Sequence, residues 1–179
     1  DYKSGRKLMS LETAKAALDY TVKSSAGIHN LEVDFFGGGP SMNMGGVKEV
    51  VRYGRELEKK YDKHFRFTLT TNGVLLNEEV MAFCNQEMDN VVLSLDGRKE
   101  VHDRFRVDYN GNGSFDKIVP KFQRFVEKRG KLILYGKFTK IRTCDKDKKP
   151  GEKRKIIKRL EIIGDKHKRK KKLCIVNNT

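Results

Sequence analysis

No apolar run in this chain approaches the roughly 18 residues that a membrane-spanning helix needs. The opening segment DYKSGRKLMS carries charge but no apolar core, so it is not a secretory signal. It also lacks an initiating Met, and the expectation is a chain that starts within a longer protein or has been trimmed. Cysteine is scarce. Cys84, Cys144 and Cys174 form an odd, widely scattered set, which argues against a disulfide framework and suits a reducing cytoplasm. His29, His64 and His167 show no metal-ligand spacing with one another or with any cysteine. A Gly-Lys-Ser/Thr phosphate loop and a dinucleotide fingerprint are both missing.

What is present divides into two compositions. The 179 residues suffice for one domain with a real core and are too few for two comfortable ones. Of the net charge of +15, residues 140–179 supply +11, from 16 Lys+Arg against 5 Asp+Glu, and residues 1–139 supply +4, from 23 against 19. High charge and little apolar content predict a tail of low order over 140–179, apart from a possible helix near 152–163. Its KHKRKKK block could bind phosphate backbones non-specifically. No aromatic residue stands in 140–179 to stack on bases, which weakens that reading. A basic nucleic-acid-binding protein on a degenerate α/β domain is therefore the alternative, and nucleic acid is not the expected partner.

Within 1–139, strand and helix patterns alternate. Ser10 caps a helix running to about Lys23, whose apolar face carries Leu11, Ala14, Leu18 and Val22. A strand follows near 31–36, then LEVDFFGGGP ends in three glycines and a proline. Val47, Val50, Val51, Leu57 and Tyr61 mark a helix over about 46–62, and FRFTLTT a strand over 65–71. Asn77 caps a third helix, on which Cys84 reads as a small core residue and not a reactive thiol. VVLSL, over 91–95, is a third strand. The charged HDRFR segment and the turn-rich NGNGS come next, and Ser114 opens a helix with Ile118, Phe122, Phe125 and Val126 on its apolar face. Residues 131–138 read as a fourth strand.

Four alternations call for right-handed βαβ units and a parallel sheet. Periodicity leaves a closed barrel and an open doubly wound sheet equally open. GGGP, TTNG and SLDG all fall at C-terminal strand ends, which share one rim in parallel α/β folds, and ligands bind there. Three glycine-bearing polar loops on one rim favour a ligand site over plain turns, since glycine lets a backbone approach a partner closely.

These loops, in this order and spacing, resemble the radical S-adenosylmethionine (SAM) enzymes. More closely, residues 8–139 are similar to the maturases of ribosomally made cysteine-rich (SCIFF) peptides that carry a SPASM-type C-terminal domain. The matching stretches are LMS, LEVDFFGG, YGRELEKKY, FRFTLTTNGVLLN, EMDNVVLSLDGRKEVHDR and GSFDKIVPKFQRFVEKRG, and the run of them spans about three quarters of the chain. Anaerobic sulfatase-maturing enzymes share the SLDG and HDxxR elements. The resemblance implies an α/β fold, a partial (β/α) TIM-type barrel of the radical SAM kind, incomplete at both ends, over 1–139. It also implies thioether formation by SAM-derived radical hydrogen abstraction. The implied partners are a cysteine-rich precursor peptide and an electron donor such as flavodoxin or ferredoxin.

For the site, the resemblance implies that Gly37, Gly38, Gly39 and Pro40 meet the methionine end of SAM through backbone groups. Ser94 and Asp96 would bond ribose hydroxyls or the methionyl group, Arg106 the methionine carboxylate, and Asn72 would shape the rim. The plain counterparts are a turn at Asn72-Gly73, a helix cap at Asp96 and a surface charge at Arg106. His102 beside Asp103 reads as a local structural contact before a catalytic pair.

The chain departs from the family in three places. CxxxCxxC, whose thiolates hold the 4Fe-4S cluster, is absent, and Cys84, Cys144 and Cys174 cannot replace it by spacing. No metal ligand is assigned, no catalytic residue is identified, and the expectation is an N-terminally incomplete piece of a longer enzyme, inactive alone. Gly39 stands where the family has glutamate in GGEP, which removes a charge-assisted hydrogen bond worth roughly 1.5–3 kcal/mol. After Thr139 the resemblance stops abruptly.

Overall fold

The computed structural model describes residues 9–36, 40–108, 110–129, 134–137 and 172–176. The element order is α1 (Leu11–Ser24), β1 (Asn30–Phe36), a short 3-10 helix (Pro40–Asn43), α2 (Met44–Tyr61), β2 (His64–Thr71), α3 (Glu78–Glu87), β3 (Asn90–Ser94), α4 (Lys99–Phe105), α5 (Phe115–Arg129), β4 (Leu134–Lys137) and β5 (Lys172–Val176). Caps fix the helix starts. The Ser10 hydroxyl accepts from the Thr13 N–H at 3.1 Å, and Oδ1 of Asn43 and of Asn77 accept from Gly46 and Val80 at 3.2 and 2.9 Å.

All ladders are parallel, in the order β4-β3-β2-β1-β5. Strands β1 to β4 follow one another across the sheet without reversal. Right-handed crossovers then place every intervening helix on the same face, and the core agrees. It joins α1 (Leu18, Val22), α2 (Val47, Val50), α3 (Val80, Cys84) and α5 (Ile118, Phe122) to Leu31, Val33, Phe35, Phe65, Phe67, Leu69, Val91 and Leu93. Those strand residues are alternate ones, as a period of two requires. Phe67 stacks between Phe35 and Phe65, with centroids 5.9 and 5.8 Å apart, and it lies under Gly54, where an added Cβ would come within 2.6 Å of its ring.

The opposite face carries Glu32, Asp34, Arg66, Thr68, Thr70, Asn90, Val92 and Ser94, all half-buried. An open parallel sheet is normally covered by helices on both faces and reads as continuously apolar strands. A singly wound sheet with one polar face is instead a segment of a barrel wall, polar side inward. That settles the choice between barrel and doubly wound sheet in favour of a partial barrel.

Two elements depart from the sequence reading. Residues 99–105 form α4, although HDRFR shows no apolar period, because one residue, His102, supplies the buried anchor. Residues 172–176, inside the span expected to have low order, form β5, paired from Glu32–Lys172 to Phe36–Val176. LCIV is a short strand-forming run that a charge count over forty residues averages away. The possible helix near 152–163 lies outside the described residues, as does Cys144.

α5 is tied to α3 through a buried arginine. The Arg129 guanidinium donates to the carbonyls of Cys84 and Met88 at 2.9 and 2.7 Å, satisfying the last turn of α3. Burial pushes its pKa down. Cys84 is fully buried and burial pushes its thiol up to about 12, so the core-residue reading of this cysteine holds.

Candidate functional site

Because β1, β2 and β3 are parallel, the loops after them lie along one rim. The residues that follow β1, Gly37, Gly38 and Gly39, are outside those described, and Pro40 opens the short 3-10 helix that leads into α2. Ser41 ties this loop to the next strand: its Oγ lies 3.3 Å from the Thr71 Oγ1, both residues being buried. The same Thr71 oxygen accepts the Gly73 N–H at 3.1 Å. One hydroxyl therefore links the first loop to the second.

Asn72 stands exposed on the rim, and its Oδ1 accepts the Val74 N–H at 3.1 Å. Gly73 has φ +80°, and a Cβ there would meet the Phe122 ring at 2.2 Å. This turn is built for packing on α5 as well as for presenting Asn72. Ser94 sits half-buried at the end of β3, on the inner face.

Asp96 and Arg106 are brought together. The Arg106 Nε donates to Asp96 Oδ2 at 2.6 Å and Nη2 reaches Oδ1 at 3.3 Å, a two-pronged pair with the carboxylate almost fully buried. Asp96 is not the cap of α4, whose first-turn cap position is Arg98. Neither is Arg106 a loose surface charge.

Behind this pair lies His102, fully buried. Its Nδ1 accepts the Asp96 backbone N–H at 3.2 Å, and its Nε2 lies 2.9 Å from the Ser114 Oγ. Ser114 spends its own proton on the Arg106 carbonyl, at 2.8 Å. The Ser114 oxygen must therefore accept from His102, which fixes the neutral imidazole with its proton on Nε2. Burial, followed by the nearby Arg106 charge, lowers the His102 pKa. Asp103 does not pair with it. Its carboxylate accepts the Phe115 N–H at 2.8 Å at the start of α5 and meets Lys99 at 3.0 Å; the Phe115 bond is the main cause of its lowered pKa. The backbone passes so close here that a Cβ on Gly113 would fall 2.1 Å from the Asp103 Cγ.

The sequence points to Asn72, Ser94, Asp96 and Arg106 on this rim and to His102 as a local structural contact, which it is, but not to Ser41, Thr71 and Ser114 as supports. Ser114 was visible only as a helix start. The signal that could have found the group is the spacing of SLDG, HDRFR and NGS, three polar motifs within about twenty residues.

Among the described residues, no three His, Cys, Asp or Glu side chains gather to hold a metal ion. Cys84 is locked in the core and Cys144 lies outside the described residues, so among the described residues no cysteines gather as ligands of an iron–sulfur cluster. The rim does fit a small polar ligand with a carboxylate, because Arg106 commits two of its five N–H groups to Asp96.

A singly wound parallel sheet with a polar inner face and glycine-bearing loops at its strand ends defines a partial α/β barrel with a candidate ligand rim. No protein-family profile matches the chain. Over 91 residues it is 33% identical to the cysteine-type anaerobic sulfatase-maturating enzyme of Clostridium novyi (strain NT), a match covering 50% of this chain and 24% of that protein. Its fold matches the solved structure of histidine-tagged anSMEcpe with bound AdoMet (22% identity, TM-score 0.66) over 76% of this chain and 36% of that one. It also matches native anSMEcpe with bound AdoMet and Kp18Cys peptide (22% identity, TM-score 0.63), over 72% and 34%. Part of the chain is thus similar in sequence to a cysteine-type anaerobic sulfatase-maturating enzyme, and its fold is that of anSMEcpe. The chain spans about a quarter of the length of the curated relative and about a third of these structures.

Proposed function

We propose that this chain is the SAM-binding part of a radical SAM maturase that acts on a peptide or protein substrate. The observation that carries the proposal is the Asp96–Arg106 pair on the strand-end rim, beside the polar inner face of the sheet. Arg106, anchored by Asp96, grips the methionine carboxylate with its remaining N–H groups, for which a planar fork is suited. Ser94 donates to or accepts from the ribose and methionyl groups, Asp96 accepts from them, and Asn72 shapes the rim. Gly37, Gly38 and Gly39 offer backbone N–H and C=O groups at close approach and Pro40 a C=O, with Gly39 unable to supply a carboxylate to the ammonium group of SAM.

Beside a reducing 4Fe-4S cluster, bound SAM would supply radical hydrogen-abstraction chemistry. Among the described residues no three His, Cys, Asp or Glu side chains gather to hold such a cluster, and the work proposed for this chain's own residues is to bind and orient SAM. The resemblance of residues 8–139 to maturases of cysteine-rich peptides supports a finer reading, in which the product is a thioether cross-link. A ribosomally made precursor peptide is then the partner, with flavodoxin or ferredoxin as electron donor, in the cytoplasm. That no helix among the described residues is long and apolar enough to cross a membrane is in keeping with it.

Equilibrium dialysis of radiolabelled SAM against the full chain tests the proposal. Saturable binding is expected, weakened about tenfold or more by Arg106→Gln, since hydrogen bonds to charged groups contribute roughly 1.5–3 kcal/mol. Absence of saturable binding to the unaltered chain overturns it.

A further inference from the structure

The four contacts around His102 close on themselves. The Asp96 N–H donates to the imidazole Nδ1, the imidazole Nε2–H to Ser114, the Ser114 hydroxyl to the Arg106 carbonyl, and the Arg106 guanidinium back to the Asp96 carboxylate. The four bonds run in one direction around the ring, and each bond polarises the next. The ring joins three separate pieces of chain, the loop after β3, α4 with its exit, and the start of α5. The Phe115 ring closes the site edge-on at 5.8 Å from the imidazole, and the backbone bonds from Arg106 N–H to the His102 carbonyl at 2.8 Å and from Ser114 N–H to the Arg106 carbonyl at 3.2 Å hold the exit of α4.

We propose that His102 and Ser114 are positioning residues that set the direction of the Arg106 fork through this closed ring, so that the rim is rigid before its carboxylate ligand arrives. The proposal rests on the reading of the rim as a SAM site and adds to it the device that holds the fork. A prearranged fork keeps the ordering cost out of binding. A half-buried Arg106 left without the ring would sample several rotamers, and the ligand would have to select one.

The geometry makes each arm separately removable. Ser114→Ala removes one oxygen and little volume, leaving the imidazole in place. His102→Gln keeps an amide N–H near the Nε2 position, and His102→Phe removes both arms while filling the space. On the full, nitrogen-15-labelled chain, the ring predicts the Nε2–H imidazole tautomer and an Arg106 Nε–H shielded from solvent exchange. Ser114→Ala and His102→Phe should each expose that Nε–H and weaken SAM binding about tenfold, the scale of one hydrogen bond to a charged group. The double variant should lose little more than either single one, because one break opens the ring. His102→Gln should restore part of the affinity. An Nδ1–H tautomer, or losses that multiply independently, overturns the ring. If the unaltered chain binds SAM and both variants bind it equally well, the positioning role is wrong and the SAM site stands. If the unaltered chain does not bind SAM, the site reading fails, and the Arg106 Nε–H exchange alone decides positioning: unchanged exchange in Ser114→Ala overturns it.

Discussion

His102 has an N–H donor on one side of its ring and a hydroxyl acceptor on the other, so it has no place for a second proton. Protonating Nδ1 would turn its N–H against that of Asp96. The charges facing the ring are Arg106, which opposes protonation, and Asp96 and Asp103, which favour it; burial outweighs them and lowers the pKa. A histidine with a folded pKa below its ordinary value of about 6.5 leaves the unfolded chain binding more protons. Stability is then fully present above that ordinary value and is lost as pH falls through the depressed one. Urea unfolding at a series of pH values between about 7.5 and 5 should therefore show the unaltered chain losing its advantage over His102→Gln, which has no proton to take up there. A difference that stays constant across the series would show that His102 does not titrate as its surroundings require.

At the scale of elements, the rim is assembled by turns that are also packing devices. Gly73 holds φ +80° directly under Phe122, while Asn72 closes the turn with its own side chain. Gly73→Ala combines a left-handed backbone with a clash in the core. It should cost about 2–5 kcal/mol, from roughly 1–2 for the conformation and 1–3 for overpacking. Chemical denaturation reads the loss, and a change below about 0.5 kcal/mol, the scale of an ordinary surface substitution, would mean that the turn does not rest on α5. α4 shows the converse. Its seven residues have no apolar stripe, and they hold as a helix because His102 at its centre is bonded on both sides.

At the scale of the whole molecule, the described residues build a sheet wall, and among them no three His, Cys, Asp or Glu side chains gather to hold a metal ion. One layer of helices covers the outer face of β1, β2 and β3, and the other face of these strands is mostly polar. The cysteines are 60 and 30 residues apart in sequence, with Cys84 held as a neutral thiol in the core. Anaerobic reconstitution of the full chain with iron and sulfide, followed by iron assay, is expected to leave far less than one cluster per chain. About four tightly bound irons per chain, the content of a single cluster, would contradict that expectation.

The alternation of β and α, the caps at Ser10, Asn43 and Asn77, and the glycine-bearing strand ends are all local matters. Apolar period, capping chemistry and glycine-rich loops are written in neighbouring residues, although the α2 cap at Asn43 fell a few residues earlier than the period suggested. Asn72, Ser94, Asp96 and Arg106 could be placed on one rim because parallel strands share a direction. The tertiary structure decided what a period of two cannot express: that the crossovers lie on one face only, that LCIV at 172–176 pairs beside β1, and that Arg106 is held by Asp96. The ring through His102 and Ser114 depends on backbone groups meeting side chains from three segments in space. No spacing along the chain encodes that closure, and it is the closure that gives the rim its direction.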